Sequence, residues 1–241
     1  MWKKKLYIRN NPDPFLMNRT KLDLFADCRR CFYFDLIAGI KRPHGPPQVI
    51  NNAINQVLKN EFNAYRLEEK PHPIMMNIKQ NLLPAKHKDL EVWRNNFKGV
   101  QFLHKKTNLK LSGSITDLWV DKDTDEFVLV EYKSTAKKDT IKHDQIWPGY
   151  WKQLSFYKYL FEKNEISINE NGYIIILNAS KKSERLNEKL TFETKIFTQK
   201  LDINWIEEQI YSAYKILQLD IPPPLSNNCK YCNYVNLAKI F

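Results

Sequence analysis

The chain changes its hydrophobic pattern partway along its length. The first part carries apolar residues at helical spacing, which predicts helices over residues 20–38, 48–69 and about 87–97. Apolar runs of strand length follow at residues 109–121 and 126–133. The polar segment DKDTD between these two runs is typical of a turn. The sequence therefore predicts an antiparallel hairpin.

The second half of the chain continues with alternating helix and strand patterns. An aromatic helix is predicted over residues 146–163, and a continuous apolar run over 172–179 indicates a strand buried on both faces. A further strand is predicted over residues 190–200 and a helix over 203–218. This order predicts an α/β fold with a mixed central sheet flanked by helices.

Length and composition favour one folded domain. A chain of 241 residues with 43% hydrophobic residues can bury a substantial core and does not resemble a disordered protein. We expect a single domain over residues 1–241. Its expected parts are an N-terminal helical part (20–98), an α/β core (100–200), and a C-terminal helix and cysteine tail (201–241).

The formal net charge of +11 suggests a polyanionic partner, although a basic surface without a ligand is an equal alternative on charge alone. The N-terminus is basic but lacks the apolar stretch of a secretory signal. The apolar runs are too short to span a bilayer. We therefore expect a cytoplasmic protein without a membrane partner.

Candidate chemistry lies on the predicted hairpin. Glu131 and Lys133 are two residues apart, so a strand projects both to one face while Tyr132 points away. The hairpin is expected to bring Asp117 beside them. Two carboxylates suit Mg²⁺ or Mn²⁺, which can activate water and stabilise charge on a phosphodiester, and a lysine can orient that water.

A simpler alternative is that Asp117 is a turn acid and that Glu131 and Lys133 form an ordinary strand end. Such short patterns are common by chance. Glu131 follows a strongly apolar run, however, and a buried carboxylate is costly unless it is paired or bound to metal. This context favours a functional site.

Gln153 and Tyr157 add a third motif, QLSFY, whose spacing places both residues on one helix face. In order, GSITD, EYKST and QLSFY resemble the RecB-type branch of the PD-(D/E)XK nuclease superfamily, with its restriction-endonuclease-like core. The resemblance implies that Asp117 and Glu131 bind metal, that Lys133 assists the nucleophile, and that Gln153 and Tyr157 line the site near DNA. For Tyr157 alone, packing among its aromatic neighbours is the alternative.

The resemblance also implies an activity. It suggests a DNA nuclease, in particular an exonuclease acting on single-stranded DNA or DNA ends in repair, recombination or CRISPR adaptation. Many RecB-type nucleases have a further His or Glu ligand on an early helix. Here Asn55 is the candidate for that place, and a plain polar role is equally open. The alternative function is therefore a catalytically weak nucleic-acid-binding or structural subunit.

The cysteines form two C-x-x-C pairs, Cys28 with Cys31 and Cys229 with Cys232. Disulfides are rare in a reducing cytosol, and four thiolates suit zinc or a [4Fe–4S] cluster. Scattered free cysteines are the alternative. The pairs predict a metal centre that joins the N- and C-terminal segments.

The cysteine pattern is similar to that of the iron–sulfur AddB-type and CRISPR-adaptation exonucleases, which have one early cysteine and a late C-x-x-C-x5-C group. The resemblance implies a [4Fe–4S] cluster, with zinc as the alternative. Ala238 stands at the last cysteine position, so Cys31 is expected to supply the fourth ligand. The sequence contains no P-loop motif, so a helicase or other repair or CRISPR protein would have to supply any motor.

Overall fold

A computed structural model describes residues 5–43, 45–181, 185 and 188–238. The chain divides into two compact units, each built from segments distant in sequence. The first comprises Met1–Pro46, Gln101–Ser112 and Asn204–Phe241, and the second comprises Pro47–Val100 and Gly113–Ile203. The expectation of a single nuclease domain stays a prediction.

The first unit combines a small sheet with helices. The sheet has three strands in the order β1-β4-β3, and β1 runs parallel to β4 with Phe15 opposite Leu109. Its elements are β1 (Phe15–Asn18), α1 (Arg19–Asp27), α2 (Arg29–Tyr33), β3 (Val100–His104), β4 (Leu109–Gly113), α6 (Ile206–Leu217) and α7 (Lys230–Ala238).

Cys28 interrupts the helix predicted over residues 20–38. Its backbone is extended (φ −159°, ψ 110°), and its sulfur accepts a hydrogen bond from the Cys31 amide at 3.5 Å, which caps the start of α2. After α2 the chain forms a π-helical turn, Phe34–Ala38, which ends at Gly39 with a φ of 73°. The expected single helix is therefore two helices and a turn.

The second unit contains the larger sheet, with five strands in the order β2-β5-β6-β7-β8. Strands β6 and β7 are parallel and the other neighbours are antiparallel, so the sheet is mixed, as predicted. The elements are α3 (Val49–Glu68), β2 (Leu82–Pro84), α4 (Leu90–Arg94), β5 (Asp117–Asp121), β6 (Phe127–Thr135), α5 (Pro148–Glu162), β7 (Asn171–Ala179) and β8 (Phe192–Lys200).

Strand β6 lies at the centre of this sheet. One of its faces carries Val128, Val130 and Tyr132, which pack with Leu58 and Phe62 of α3 in a buried cluster. The opposite face is contacted by α5. The apolar residues of β6 and β7 thus form part of the core of the unit, and the predicted hairpin and buried strand are both confirmed.

The stretch 109–121 is two strands rather than the single strand expected. Strands β4 and β5 belong to different sheets, and the chain turns between them. In that turn the Ile115 amide donates to the Trp93 carbonyl at 3.0 Å, so this residue leaves the strand ladder. The short strands β1, β2 and β3 and the helix α7 were not predicted. Within the described residues, no helix has the length and apolar character needed to cross a bilayer.

Candidate active site and cysteine centre

Strand β6 presents Glu131 and Lys133 on one face. The Lys133 ammonium donates to Glu131 Oε1 at 2.6 Å, and the Lys133 Nζ also lies 4.6 Å from the ring centroid of Tyr150. Glu131 is only 3% exposed. Its neighbour Tyr132 is fully buried on the opposite face, as the strand alternation predicted. The structure therefore brings the predicted acid and lysine into direct contact.

Helix α5 adds the third motif to this group. The Gln153 side-chain amide donates to Glu131 Oε2 at 2.9 Å and to the Tyr157 hydroxyl at 3.0 Å. Both α5 residues are buried. Four of the predicted site residues therefore form one hydrogen-bonded chain, which runs from Lys133 through Glu131 and Gln153 to Tyr157.

Thr116 belongs to the same group, although no sequence motif indicated it. Its hydroxyl donates to Glu131 Oε2 at 2.8 Å. It immediately precedes β5, where Asp117 is the first residue. Strand alternation could have indicated Thr116, because neighbouring residues along a strand, here Thr116 and Asp117, point to opposite faces.

Asp117 lies in a different group from the one expected. It pairs with Val130 in the ladder and is fully buried. Its Oδ1 accepts from Arg66 at 2.5 Å, from Arg94, and from the Leu118 amide at 2.7 Å, and its Oδ2 accepts from the Tyr132 hydroxyl. None of these described hydrogen bonds goes to Glu131 or Lys133. The expected contact is thus replaced by a buried ion-pair network, and the metal-ligand role of Asp117 stays a prediction.

The network around Asp117 brings several charged side chains close together in the protein interior. The Arg66 and Arg94 side chains are 8% and 5% exposed, so two buried cations share one carboxylate. Burial, and then the Asp117 charge, raise the pKa of Tyr132 well above its usual range, so the phenol remains a neutral donor. On α3, burial and then repulsion by Arg94 lower the pKa of Lys59.

Asn55 was the candidate for an early-helix ligand. It lies on α3, and its side-chain oxygen is buried without a hydrogen-bond partner among the described residues. A buried acceptor without a donor suits a ligand that the structure does not contain. The role of Asn55 stays a prediction.

The family model of the PD-(D/E)XK nuclease superfamily matches residues 46–237. This chain belongs to the PD-(D/E)XK nuclease superfamily. Membership indicates a metal-dependent nuclease that hydrolyses phosphodiester bonds, because PD-(D/E)XK nucleases use divalent metals. No curated protein matches the chain.

The residues around Glu131 can be compared with what the superfamily's metal requires. Among the described residues, the only group of three or more His, Cys, Asp or Glu side chains with converging ligand atoms is the cysteine group. Glu131 thus offers a single carboxylate. Mg²⁺ is commonly held by one or two carboxylates together with waters and substrate phosphates. The single carboxylate of Glu131 is compatible with such an ion, and the metal-ligand role of Glu131 stays a prediction.

The four cysteines of this PD-(D/E)XK protein come together in the first unit, as predicted. The sulfurs of Cys28 and Cys232 are 3.6 Å apart, and those of Cys31 and Cys229 are 3.7 Å apart. All four sulfurs lie within 4.8 Å of one another, and only Cys31 is more than marginally exposed. The site can hold a metal.

The surroundings of Cys229 favour ionisation of its thiol. Burial opposes ionisation of Cys229, but hydrogen bonds from the Cys232 backbone and from neighbouring thiols lower its pKa to about 7. An Arg42 guanidinium donates to the Cys229 sulfur at 3.2 Å. Burial raises the pKa of Cys31 to about 12. A bound cation would stabilise the thiolate form of all four cysteines.

Proposed function

We propose that this chain is a Mg²⁺- or Mn²⁺-dependent deoxyribonuclease of the RecB type, acting as an exonuclease on single-stranded DNA or DNA ends. One observation carries the proposal. Lys133, Glu131, Gln153 and Tyr157 form a continuous hydrogen-bonded chain across strand β6 and helix α5, in a member of a nuclease superfamily. Residues that are distant in sequence thereby form one site.

Each member of the chain has a distinct role in this proposal. Glu131 would hold the cation, which when bound neutralises charge on the phosphate and acidifies a water. Lys133 orients the attacking water and offsets developing charge. Gln153 uses its two amide protons on Glu131 and Tyr157, so the amide orientation is fixed and its oxygen stays available as an acceptor. Tyr157 is thus a positioning residue.

DNA is the proposed substrate because the chain is basic and the site chemistry suits phosphodiesters. Lys137 and Lys138 follow β6 and are exposed, so they are suited to contact phosphates beside the site. A separate helicase or other repair or CRISPR-adaptation protein is the proposed partner. It would supply DNA ends or single strands.

The cysteine centre is proposed to hold a structural metal. Ligand sulfurs about 2.3 Å from a tetrahedral zinc lie about 3.8 Å from one another. The separations of 3.6 and 3.7 Å match that value. The spacing supports zinc, whereas the resemblance to iron–sulfur nucleases supports a [4Fe–4S] cluster. Metal analysis decides between them.

A second function is favoured by the surroundings of Asp117. This carboxylate is engaged by Arg66, Arg94 and Tyr132, which leaves Glu131, among the described residues, as the only acid in the hydrogen-bonded site. A site with one carboxylate suits weak catalysis. The alternative is therefore a nucleic-acid-binding protein built on a nuclease fold.

End-labelled DNA distinguishes the two functions. Purified protein is incubated with single- and double-stranded DNA labelled at the 5′ or 3′ end, with Mg²⁺, Mn²⁺ or EDTA, and Glu131→Gln serves as the control. Loss of nucleotides from one end, only with metal and only in the wild type, supports the exonuclease. Tight binding with no cleavage under every condition contradicts it and supports the binding protein.

A further inference from the structure

Arg42 contacts both of the segments that carry the cysteine pairs. One guanidinium nitrogen pairs with Asp27, which directly precedes the first pair, and a second donates to the Cys229 sulfur at 3.2 Å. The guanidinium carbon lies 4.7 Å from the ring centroid of Tyr231, which lies inside the second pair. One side chain therefore reaches the N-terminal and the C-terminal parts of the cysteine centre.

The cysteine centre would carry a buried negative charge once it held a metal. Four thiolates around one Zn²⁺, or around a [4Fe–4S]²⁺ core, leave a net charge of about −2 in either case. Cys28, Cys229 and Cys232 are buried, and a buried charge is costly unless it is paired. An arginine stays protonated in proteins, so Arg42 supplies a permanent positive charge directly at a ligand sulfur.

The Arg42 hydrogen bond and a metal bond at Cys229 are compatible. A thiolate sulfur that binds a metal keeps lone pairs that can accept from an N–H group. Hydrogen bonds of this kind, from outside the ligand set, tune the affinity and the electronic properties of metal sites. The Arg42 side chain is only 20% exposed, so water competes little for its guanidinium.

We propose that Arg42 is the counter-ion of the cysteine centre and that its hydrogen bond to Cys229 slows the loss of the metal. The inference rests on the proposed structural metal and names a residue that retains it. It applies to zinc and to an iron–sulfur cluster, because both leave the same negative charge on the centre. Arg42 contacts a ligand rather than the metal, so it is a positioning residue.

A purely structural role makes different predictions. In that role Arg42 would only join α1 to α7 through Asp27 and Tyr231. Its removal would lower the thermal midpoint and leave the electronic properties of the bound metal unchanged. As a counter-ion, Arg42 affects both the rate of metal release and the electronic properties of the sulfurs.

Metal release from the full chain, purified without oxygen, tests the inference. An excess of a chromogenic chelator takes up the released zinc or iron, and its absorbance gives the rate. Arg42→Met removes the charge but keeps an unbranched side chain, and it should release metal about tenfold faster than the wild type. Lys41→Met removes a neighbouring exposed charge and should release metal at the wild-type rate. Equal rates for the two variants would overturn the inference.

Arg42→Lys separates charge from geometry. An ammonium keeps the positive charge but lacks the two-nitrogen fork that reaches Asp27 and Cys229 together. This variant should release metal faster than the wild type and more slowly than Arg42→Met. If Arg42→Met does not fold, Arg42→Lys is compared with Lys41→Met instead, and release at the same rate would overturn the inference.

The electronic properties of the metal give a readout that a structural contact would not change. If the metal is zinc, Co²⁺ replaces it, and the thiolate-to-cobalt absorption band should move to longer wavelength in Arg42→Met, because the sulfur has lost a hydrogen-bond donor. If the metal is an iron–sulfur cluster, its reduction potential should fall, because a positive charge and a hydrogen bond to sulfur both favour the reduced cluster. An unchanged band or potential with a lower thermal midpoint would overturn the inference.

The wild type distinguishes this inference from the proposal on which it rests. A folded wild type that contains neither zinc nor iron would contradict the structural metal, and the role of Arg42 with it. A wild type that contains metal, but whose metal release does not depend on Arg42, would contradict the role of Arg42 alone. DNA cleavage by the same preparations tests the nuclease separately and changes neither conclusion.

Discussion

The Gln153 amide lies 2.9 Å from Glu131 Oε2, which ties helix α5 to the central strand of the sheet. The same amide nitrogen reaches Tyr157 one helical turn later, at 3.0 Å. Glu131 is thus held by Gln153 on one oxygen and by Lys133 on the other. Its two carboxylate oxygens are oriented before any ligand binds, which reduces the reorganisation needed for catalysis.

Replacing Lys133 by alanine should reduce DNA cleavage about 10²–10³-fold, because the lost ammonium no longer stabilises charge at the phosphate. The fold should survive, since Lys133 is partly exposed and lies near the end of β6. Single-turnover cleavage and circular dichroism measure the two effects. Lys200→Ala, at an exposed lysine on β8, is the matched control and should cleave normally. Cleavage by Lys133→Ala at the control rate would remove the lysine from the mechanism.

Tyr157→Phe should weaken cleavage with little loss of stability. The hydroxyl accepts a hydrogen bond from Gln153, and its removal frees the amide to rotate away from Glu131. The cost in stability should be about 1 kcal/mol, measured by urea unfolding. Tyr65→Phe, on α3, provides a control for the loss of a phenol. A large loss of stability with unchanged specific activity would instead show that Tyr157 only packs in the core.

Gly113 permits the close approach of Tyr157. A Cβ at this position would lie 2.6 Å from Tyr157 Cε1, which is a steric overlap. Gly113→Ala should therefore destabilise the protein by about 1–3 kcal/mol and reduce cleavage by displacing the tyrosine. Gly45→Ala is the matched control, because nothing lies within 4 Å of its added Cβ. Equal thermal midpoints for the two variants would contradict the predicted overlap.

The sequence predicted the long helices and strands better than it predicted the face of the sheet on which each side chain lies. The hairpin turn follows from a polar segment between two apolar runs, and β7 and α5 follow from strong apolar patterns. The contact between Glu131 and Lys133 follows from strand alternation. The face of Asp117 depends on where β5 begins. A one-residue change in the register of a strand moves every side chain to the other face, and residues 109–121 gave no sign of the break between β4 and β5.

The sequence likewise predicted only part of the structure around the cysteines. Two C-x-x-C pairs predicted the metal centre, since such pairing is uncommon by chance. They did not predict that Cys28 would end α1 and cap α2. That break depends on an extended backbone at a single residue, and the helical pattern of apolar residues continues across it. Tertiary context therefore outweighed local periodicity.

DNA binding should weaken steeply as salt rises, because lysine–phosphate contacts release counterions. Replacing Lys137 and Lys138 together by alanine should reduce the slope of log affinity against log salt by about 2. Fluorescence anisotropy with a labelled oligonucleotide in EDTA measures the slope without cleavage. Lys105 and Lys106, also exposed and adjacent in sequence, give the matched double-alanine control. Equal slopes for the two double variants would mean that Lys137 and Lys138 do not contact phosphate.

The cysteine centre should hold a metal in the purified protein. Protein purified without oxygen should contain either one zinc and no visible colour, as the sulfur spacing supports, or about four irons with broad visible absorption, as expected of a [4Fe–4S] cluster. Elemental analysis and absorption spectroscopy distinguish the two. A metal-free protein of full stability would exclude both.

Cys31→Ser tests the fourth ligand directly. Its sulfur lies 3.7 Å from that of Cys229, so losing it opens the coordination shell and should release the metal. The thermal midpoint should fall in the variant, and chelator treatment of the wild type should have the same effect, because the metal joins α2 to the start of α7. Lys230→Ala, beside Cys229 but not a ligand, is the control and should retain its metal. Full metal content in Cys31→Ser would show that three cysteines suffice and that Cys31 lies beside the centre without binding it.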